Sequence, residues 1–181
     1  MANYTVVNLV ASITLDTKLP LSKMKTKLPN ARYNPERFPG LVLKYEDIKP
    51  TFLAFGSGKL VCVGGKTRKD IDEAMVRLKK DLKKLGIDIG NNYDIKIQNI
   101  VVTSDLGRPV DLNRMAYELD DTQYNPEQFP GLVYRLELNE KDTVTFLIFG
   151  KGKIVCGGAK DEKQIEKGID ILINTLKEKN F

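Results

Sequence analysis

The sequence predicts an α+β protein made of one folding unit written twice, each copy reading β-α-β4-α. Three observations predict it. YNPERFPGLV at residues 33–42 returns as YNPEQFPGLV at 124–133 with nine of ten positions unchanged. TFLAFGSGKLVC at 51–62 returns as TFLIFGKGKIVC at 145–156 with nine of twelve identical. Within each copy strand-like runs outnumber helical ones, so the helices supply a single layer against a sheet. The offsets are 91 and 94 residues, which places a three-residue insertion in the second copy, most simply in the turn LNEKDT. The copies divide the chain at 1–90 and 91–181, each close to domain size. A pseudo-two-fold arrangement of them suits a target of matching symmetry, a nucleic-acid duplex or a second copy of the chain.

Each copy begins on a strand. YTVVNLVASITL at 4–15 is β-branched and apolar with little polar relief, and DIKIQNIVVTSDL at 94–106 is its equivalent. Short helical spacing follows, with Leu21, Met24 and Leu28 in the first copy and Leu112, Met115 and Leu119 in the second. ARYNPERFPGLVLKY reads as strand, turn, strand, because Pro39 and Gly40 (Pro130 and Gly131 in the repeat) demand a break. Gly56-Ser57-Gly58 and Gly150-Lys151-Gly152 read as tight hairpins between the next two strands.

Each copy closes on a long helix. In the first, Ile71, Ala74, Met75, Leu78, Leu82 and Leu85 form an apolar stripe with a basic back. In the second the stripe is Ile165, Ile169, Leu172 and Leu176. Thr67 with Asp70, and Asp161 with Gln164, have the spacing of helix caps. GIDIGNNYD at 86–94 links the copies.

The strands carry the main functional inference. In TFLAFGSGKLVCV the alternate sets Phe52, Ala54, Leu60, Cys62 and Leu53, Phe55, Val61, Val63 are equally apolar. An antiparallel sheet with one wet face alternates apolar with polar residues instead. The second face is therefore covered by something outside the chain, or by a second sheet in a hidden sandwich core. Contiguous apolar surface of this size marks a binding site.

Composition bounds the function. With 41% hydrophobic and 29% charged residues, the chain is of ordinary globular type. No apolar run approaches the length of a membrane span, roughly 18 residues. The start MANYTVVNLV lacks the features of a signal peptide. A cytoplasmic or nuclear protein is expected. The net charge of +5 divides unevenly: 17 Lys and Arg against 9 acids in 1–90, 12 against 15 in 91–181. A modest basic excess permits nucleic-acid binding. Cys62 and Cys156 sit at equivalent strand positions, where burial as small hydrophobes competes with a disulfide or metal site. With no histidine and two thiols, no closed zinc site can be assembled from this chain alone.

Catalytic machinery is poorly supplied. The glycine hairpins are followed by Lys59 and Lys153, but a phosphate-binding loop needs GxxxxGK[ST] opening a helix, and here the lysine opens a strand. Glu36, Glu127, Asp120 and Asp121 sit beside turns with no nucleophile among them, so no enzyme and no cofactor are expected. The phenylalanines stand out. Phe38 and Phe129 precede Pro-Gly turns, and Phe55 and Phe149 precede glycine hairpins, so all four lie at strand ends, either as wedges or as caps on the core.

VNLV at 7–10, QNIV at 98–101, YNPE-x-FPGL in both copies, and FLxFGxGKxVC followed by GG or GA and a long helix together resemble the TATA-box-binding protein family over both repeats. The resemblance implies a curved ten-stranded antiparallel saddle with four helices on its convex face and DNA against its concave apolar face. It implies that Phe38 with Phe55, and Phe129 with Phe149, enter base steps and kink the TATA box. Asn8 and Asn99 are similar to the central pair that donates to minor-groove acceptors. Val10, Val61, Leu53, Val101, Val155 and Leu147 are similar to the groove floor. Val63 and Gly157 stand where the family often has Thr, and Val63 is kept with the DNA-facing set.

Lys44, Ser57, Lys59, Arg135, Lys151 and Lys153 resemble positions that meet sugar and phosphate. Glu127 resembles the position that receives transcription factor B, through which RNA polymerase joins the preinitiation complex. The absence of a long amino-terminal extension looks archaeal, which implies a cytoplasmic protein acting at the nucleoid. The competing reading is a structural or interaction protein whose apolar face self-associates, as a homodimer without DNA.

Overall fold

The structure, a computed structural model, describes residues 3–181. It has two compact units, one spanning Asn8–Gln98 and the other formed by Asn99–Phe181 with the stretch ending at Val7. These units are a different division from the sequence repeats, because their limits fall inside two long strands.

The elements of the first repeat are β1 (Tyr4–Leu15), α1 (Leu21–Lys27), β2 (Ala31–Arg32), β3 (Leu41–Lys44), β4 (Thr51–Ala54), β5 (Lys59–Gly65) and α2 (Arg68–Lys84). Those of the second are β6 (Tyr93–Asp105), α3 (Leu112–Glu118), β7 (Thr122–Gln123), β8 (Leu132–Glu137), β9 (Thr143–Ile148), β10 (Lys153–Ala159) and α4 (Glu162–Glu178). Within the first unit the hydrogen-bonded order is β2-β3-β4-β5-β1, and within the second β6-β10-β9-β8-β7. The pairings are antiparallel. The expected β-α-β4-α unit is therefore present twice, giving ten strands and four helices among the described residues.

Burial alternates along each strand. Phe52, Ala54, Leu60 and Cys62 are 0% exposed and form the core with Ile71, Ala74, Met75 and Leu78 of α2. In the second unit Phe146, Ile148, Ile154 and Cys156 lie under Ile165, Ile169, Leu172 and Leu176 of α4. The other alternate set, Leu53, Phe55, Val61 and Val63, is only half-buried. Nothing among the described residues covers that face, so the sandwich alternative is excluded within each unit. The thiols are free and buried, and burial pushes each up to about 12, as expected of small core hydrophobes.

Local chemistry explains the element ends. Thr67 caps α2 by accepting from the Asp70 N–H at 3.1 Å, while the Asp70 carboxylate accepts from the Thr67 N–H at 3.0 Å and the Lys66 N–H at 2.8 Å. Asp161 caps α4 by accepting from the Gln164 N–H at 2.8 Å, and the Gln164 side chain accepts from the Lys160 N–H at 2.7 Å. The short helices end one residue sooner than their apolar spacing suggests: Leu28 and Leu119 are cap residues, still buried. The inserted residues of the second repeat lengthen the β8–β9 hairpin, whose turn is closed by Asn139 accepting from the Lys141 and Asp142 N–H groups at 2.9 and 3.0 Å. Gly168 lets α4 approach β9 closely, since a Cβ there would stand 2.9 Å from Val144 Cγ2.

Candidate nucleic-acid interface

The uncovered face is built from strand residues of one parity. In the first unit Val10 lies opposite Val63, Ser12 opposite Val61, Leu53 opposite both Val42 and Val61, and Lys44 opposite Thr51. In the second, Val155 lies opposite Thr103 and Leu147, Leu147 opposite Val133, and Arg135 and Gly157 opposite Thr145. Residues directly opposite share a face. Each unit thus presents a floor of half-exposed valine and leucine, with Lys44 or Arg135 on an exposed outer position.

An asparagine sits on each of these faces in a fixed orientation. Asn8 Oδ1 accepts from the Gly64 N–H at 2.8 Å, and Asn99 Oδ1 accepts from the Gly158 N–H at 2.7 Å. Both glycines take positive φ, 93° and 94°, beside register shifts in the β1–β5 and β10–β6 ladders. A backbone N–H can only donate, so it selects the oxygen of each amide. The Nδ2 donor is left to the half-exposed side. The arrangement offers one hydrogen-bond donor, and no charge, on the apolar face of each unit.

The phenylalanines form pairs at the edge of each floor. Phe38 and Phe55 meet edge to face with centroids 5.9 Å apart, and Phe129 and Phe149 do the same at 5.8 Å, a favourable geometry for aromatic pairs. Phe38 and Phe129 are each 39% exposed. Short turns hold them out: Phe38 N–H donates to Asn34 at 3.0 Å, and Phe129 N–H to Asn125 at 3.0 Å. Gly40 and Gly131 lie directly beneath. A Cβ on Gly131 would stand 2.7 Å from Phe129 Cε1 and 3.1 Å from Phe149 Cε1, and Gly40 meets the same limit at 2.6 and 3.1 Å. Phe55 and Phe149 are fixed by their hairpins, in which the phenylalanine N–H donates to Lys59 and Lys153 carbonyls at 2.9 Å. Phe38 and Phe129 thus present a free ring edge, while Phe55 and Phe149 behind them are half-buried.

Lysines and one serine line the same ends. Ser57, Lys59, Lys151 and Lys153 are exposed on or beside the hairpins. A hollow of about 580 Å³ in the second unit is walled by Pro130, Phe149 and Val155 with Lys151 and Lys153 at its rim. Glu127 is exposed on the turn before Phe129, its N–H donating to Asn125 Oδ1 at 3.2 Å.

Residues 3–85 and 94–179 each match the family described as transcription factor TFIID (or TATA-binding protein, TBP). The chain belongs to this family. It is 46% identical over 164 residues to the TATA-box-binding protein of Methanosphaera stadtmanae, covering 91% of this chain and 88% of that one. It is 42% identical over 173 residues to that of Methanocaldococcus jannaschii, covering 96% and 93%. A solved structure, Methanococcus jannaschii TBP, superposes with a TM-score of 0.89 at 41% identity, covering 97% of this chain and 99% of that one. The ten-strand, four-helix architecture is thus that of the TBP fold.

Sequence reasoning missed some residues of the TBP-type face. Val42, Val133, Ser12, Thr103, Thr51 and Thr145 share the open parity with the predicted floor. Strict alternation identifies them once the strand ends are known: Thr51 and Thr145 from Leu53 and Leu147, Ser12 and Thr103 from Val10 and Val101, Val42 and Val133 from Lys44 and Arg135. The asparagine anchors lacked any such signal, because the bulges that aim Gly64 and Gly158 at Asn8 and Asn99 join residues 56 and 59 positions apart.

Proposed function

We propose that this TBP-family chain is a transcription initiation factor that binds the minor groove of a TATA box and bends it, each unit taking one half of the element. The observation that carries this reading is the uncovered apolar face with an outward amide donor on its floor and a projecting phenylalanine pair at its edge. A·T and T·A pairs present only acceptors in the minor groove, which Asn8 and Asn99 Nδ2 meet in either base order. A guanine amino group pressed against valine would lose its partners, at a penalty of about 1–3 kcal/mol.

The phenylalanine pairs supply the bend. Unstacking a base step costs a few kcal/mol, and fully burying a Phe side chain returns roughly 1.5–3 kcal/mol. Two rings per kink offset the distortion, and flexible TA steps reduce it. Lys44, Ser57, Lys59, Arg135, Lys151 and Lys153 stand where they meet backbone phosphates and sugars.

A TATA duplex with dyes at its ends tests binding and bending together, against a duplex with G·C pairs in the element. The expected result is tight binding with a large rise in energy transfer for the first only; equal affinity for both would reject the reading. Phe129→Ala with Phe149→Ala should lower the transfer at saturation, and a fully bent complex would reject the wedge role.

The partner assigned to the exposed turn at Glu127 is transcription factor B, which then brings RNA polymerase. Glu127→Arg should leave the binary DNA complex unchanged and abolish the ternary one. Normal ternary assembly on native gels would remove Glu127 from that contact.

A further inference from the structure

We propose that Gly157 opens a notch in the second unit's floor that admits one guanine amino group, so that the chain tolerates a single G·C pair in a TATA element when its second unit lies over it. The proposal rests on the minor-groove reading above. KLVCVGG at 59–65 and KIVCGGA at 153–159 are repeat equivalents, so Gly157 stands where the first unit has Val63. The surroundings of the two positions otherwise match. Val63 lies between Val10 and Thr51, and Gly157 lies beside Val101 and opposite Thr145. The neighbouring asparagines are anchored alike, to Gly64 and Gly158.

The backbone does not require glycine at residue 157. Positive φ occurs at Gly158, 94°, and at Gly64, 93°, but not at Gly157. A Cβ on Gly157 would meet Val101 Cγ2 at 3.7 Å, an ordinary contact. The position therefore accepts a side chain without strain, and its lack of one leaves space on the half-exposed face where Val63 places an isopropyl group.

Guanine differs from the other bases in the minor groove by an added N2 amino donor. Against Val63 that group meets carbon and keeps no acceptor, which is the costly case. Over Gly157 it finds room, and the hydroxyl of Thr145, directly across the strand pair, is an acceptor within the same row. Thr51 holds the equivalent place in the first unit, but there Val63 stands beside it. The difference breaks the equivalence of the repeats at one row and gives a near-palindromic element a direction.

The test compares three duplexes at one salt concentration with the full chain: a palindromic A/T element, the same with one G·C pair, and the same with two dyad-related G·C pairs, scanned outward from the centre. A single G·C lets the protein turn so that Gly157 faces it, so at one position the first substitution should weaken binding by less than about threefold and the second by about tenfold or more. Gly157→Val should make the first substitution as costly as the second, and Thr145→Val should raise its cost without filling the notch. Val63→Gly should reduce the cost of the second. Equal steps for first and second substitutions at every position, with the A/T parent bound tightly, overturn the notch and leave the minor-groove reading intact. Failure to bind the A/T parent overturns the minor-groove reading itself.

Discussion

Asn99 spends its amide oxygen on the Gly158 N–H, 2.7 Å away, and that bond decides what its other atom offers. Asn99→Asp keeps the acceptor for Gly158 but replaces the outward donor with a charged oxygen. Facing that oxygen, a buried base acceptor is left unsatisfied at a cost of about 1–3 kcal/mol, so affinity for a TATA duplex should fall at least about tenfold while the thermal midpoint moves by no more than about 4 °C. A titration showing unchanged affinity would place the donor away from DNA. Gly131 acts at the same scale. Gly131→Ala puts a Cβ under both Phe129 and Phe149. That forces the rings off their present rotamers, at a cost on the order of 1 kcal/mol each. The bend read by energy transfer should shrink more than the melting temperature does. An unaltered bend with a large loss of stability would make Gly131 a packing residue alone.

At the scale of elements, the long helices are tied down at both ends. Their N-termini carry the Thr67 and Asp161 caps. Their C-terminal carbonyls receive a cation from the short helix of the same repeat, which suits the negative end of the helix dipole. Lys23 Nζ donates to the Leu85 carbonyl at 2.8 Å, and Arg114 donates to those of Lys179 at 2.7 Å and Asn180 at 3.1 Å. The short helices thus fix where the long ones stop. The Asp70 carboxyl is held below its usual range chiefly by the Lys66 N–H, with further help from the Thr67 N–H, Lys49 and the Thr67 hydroxyl, while burial acts in the opposite sense.

A depressed carboxyl contributes stability that is complete above its unfolded value of about 3.9 and is lost as pH falls through the folded value. Asp70→Ala should therefore destabilise by about 1 kcal/mol at pH 7. The gap should narrow below about pH 4. Denaturant titrations at pH 7 and 3 that give the same gap would exclude the ionised cap as its source.

For the whole molecule, charge sets the terms of association. Lys44, Lys59, Arg135, Lys151 and Lys153 are exposed and drawn from both repeats, and each is a proposed phosphate contact. If all five displace counterions, the logarithm of the binding constant should fall with the logarithm of salt concentration at a slope of about −4 to −5. Removing Lys151 or Lys153 should reduce that slope by about one unit each without altering the preference for A·T pairs. A slope near zero would mean that the lysines face elsewhere. The acidic balance of residues 91–181, 15 acids against 12 bases, suits a basic protein partner on the second repeat, while the basic excess of 1–90 does not.

The order of elements, the repeat and its insertion were legible in the residues, because strand and helix periodicities, Pro-Gly breaks and cap spacings are local signals. Thr67, Asp161 and the stripe of α4 stand where those signals put them. VNLV, QNIV, YNPE-x-FPGL and FLxFGxGKxVC, each in its place within the repeats, together indicated the TBP family. Composition and alternation did not say which of two equally apolar strand faces stays open; the family resemblance alone pointed to the face of Leu53, Val61 and Val155. Leu53 and Phe52 are alike in composition, and only the docking of α2 buries one and leaves the other half-exposed. The same holds for the direction of the Asn8 and Asn99 amides, set by backbone groups far along the chain, and for the glycines that seat the phenylalanine pairs. Local covalent preferences determined the elements; the choice of face and the aim of each side chain came from contacts between segments distant in sequence.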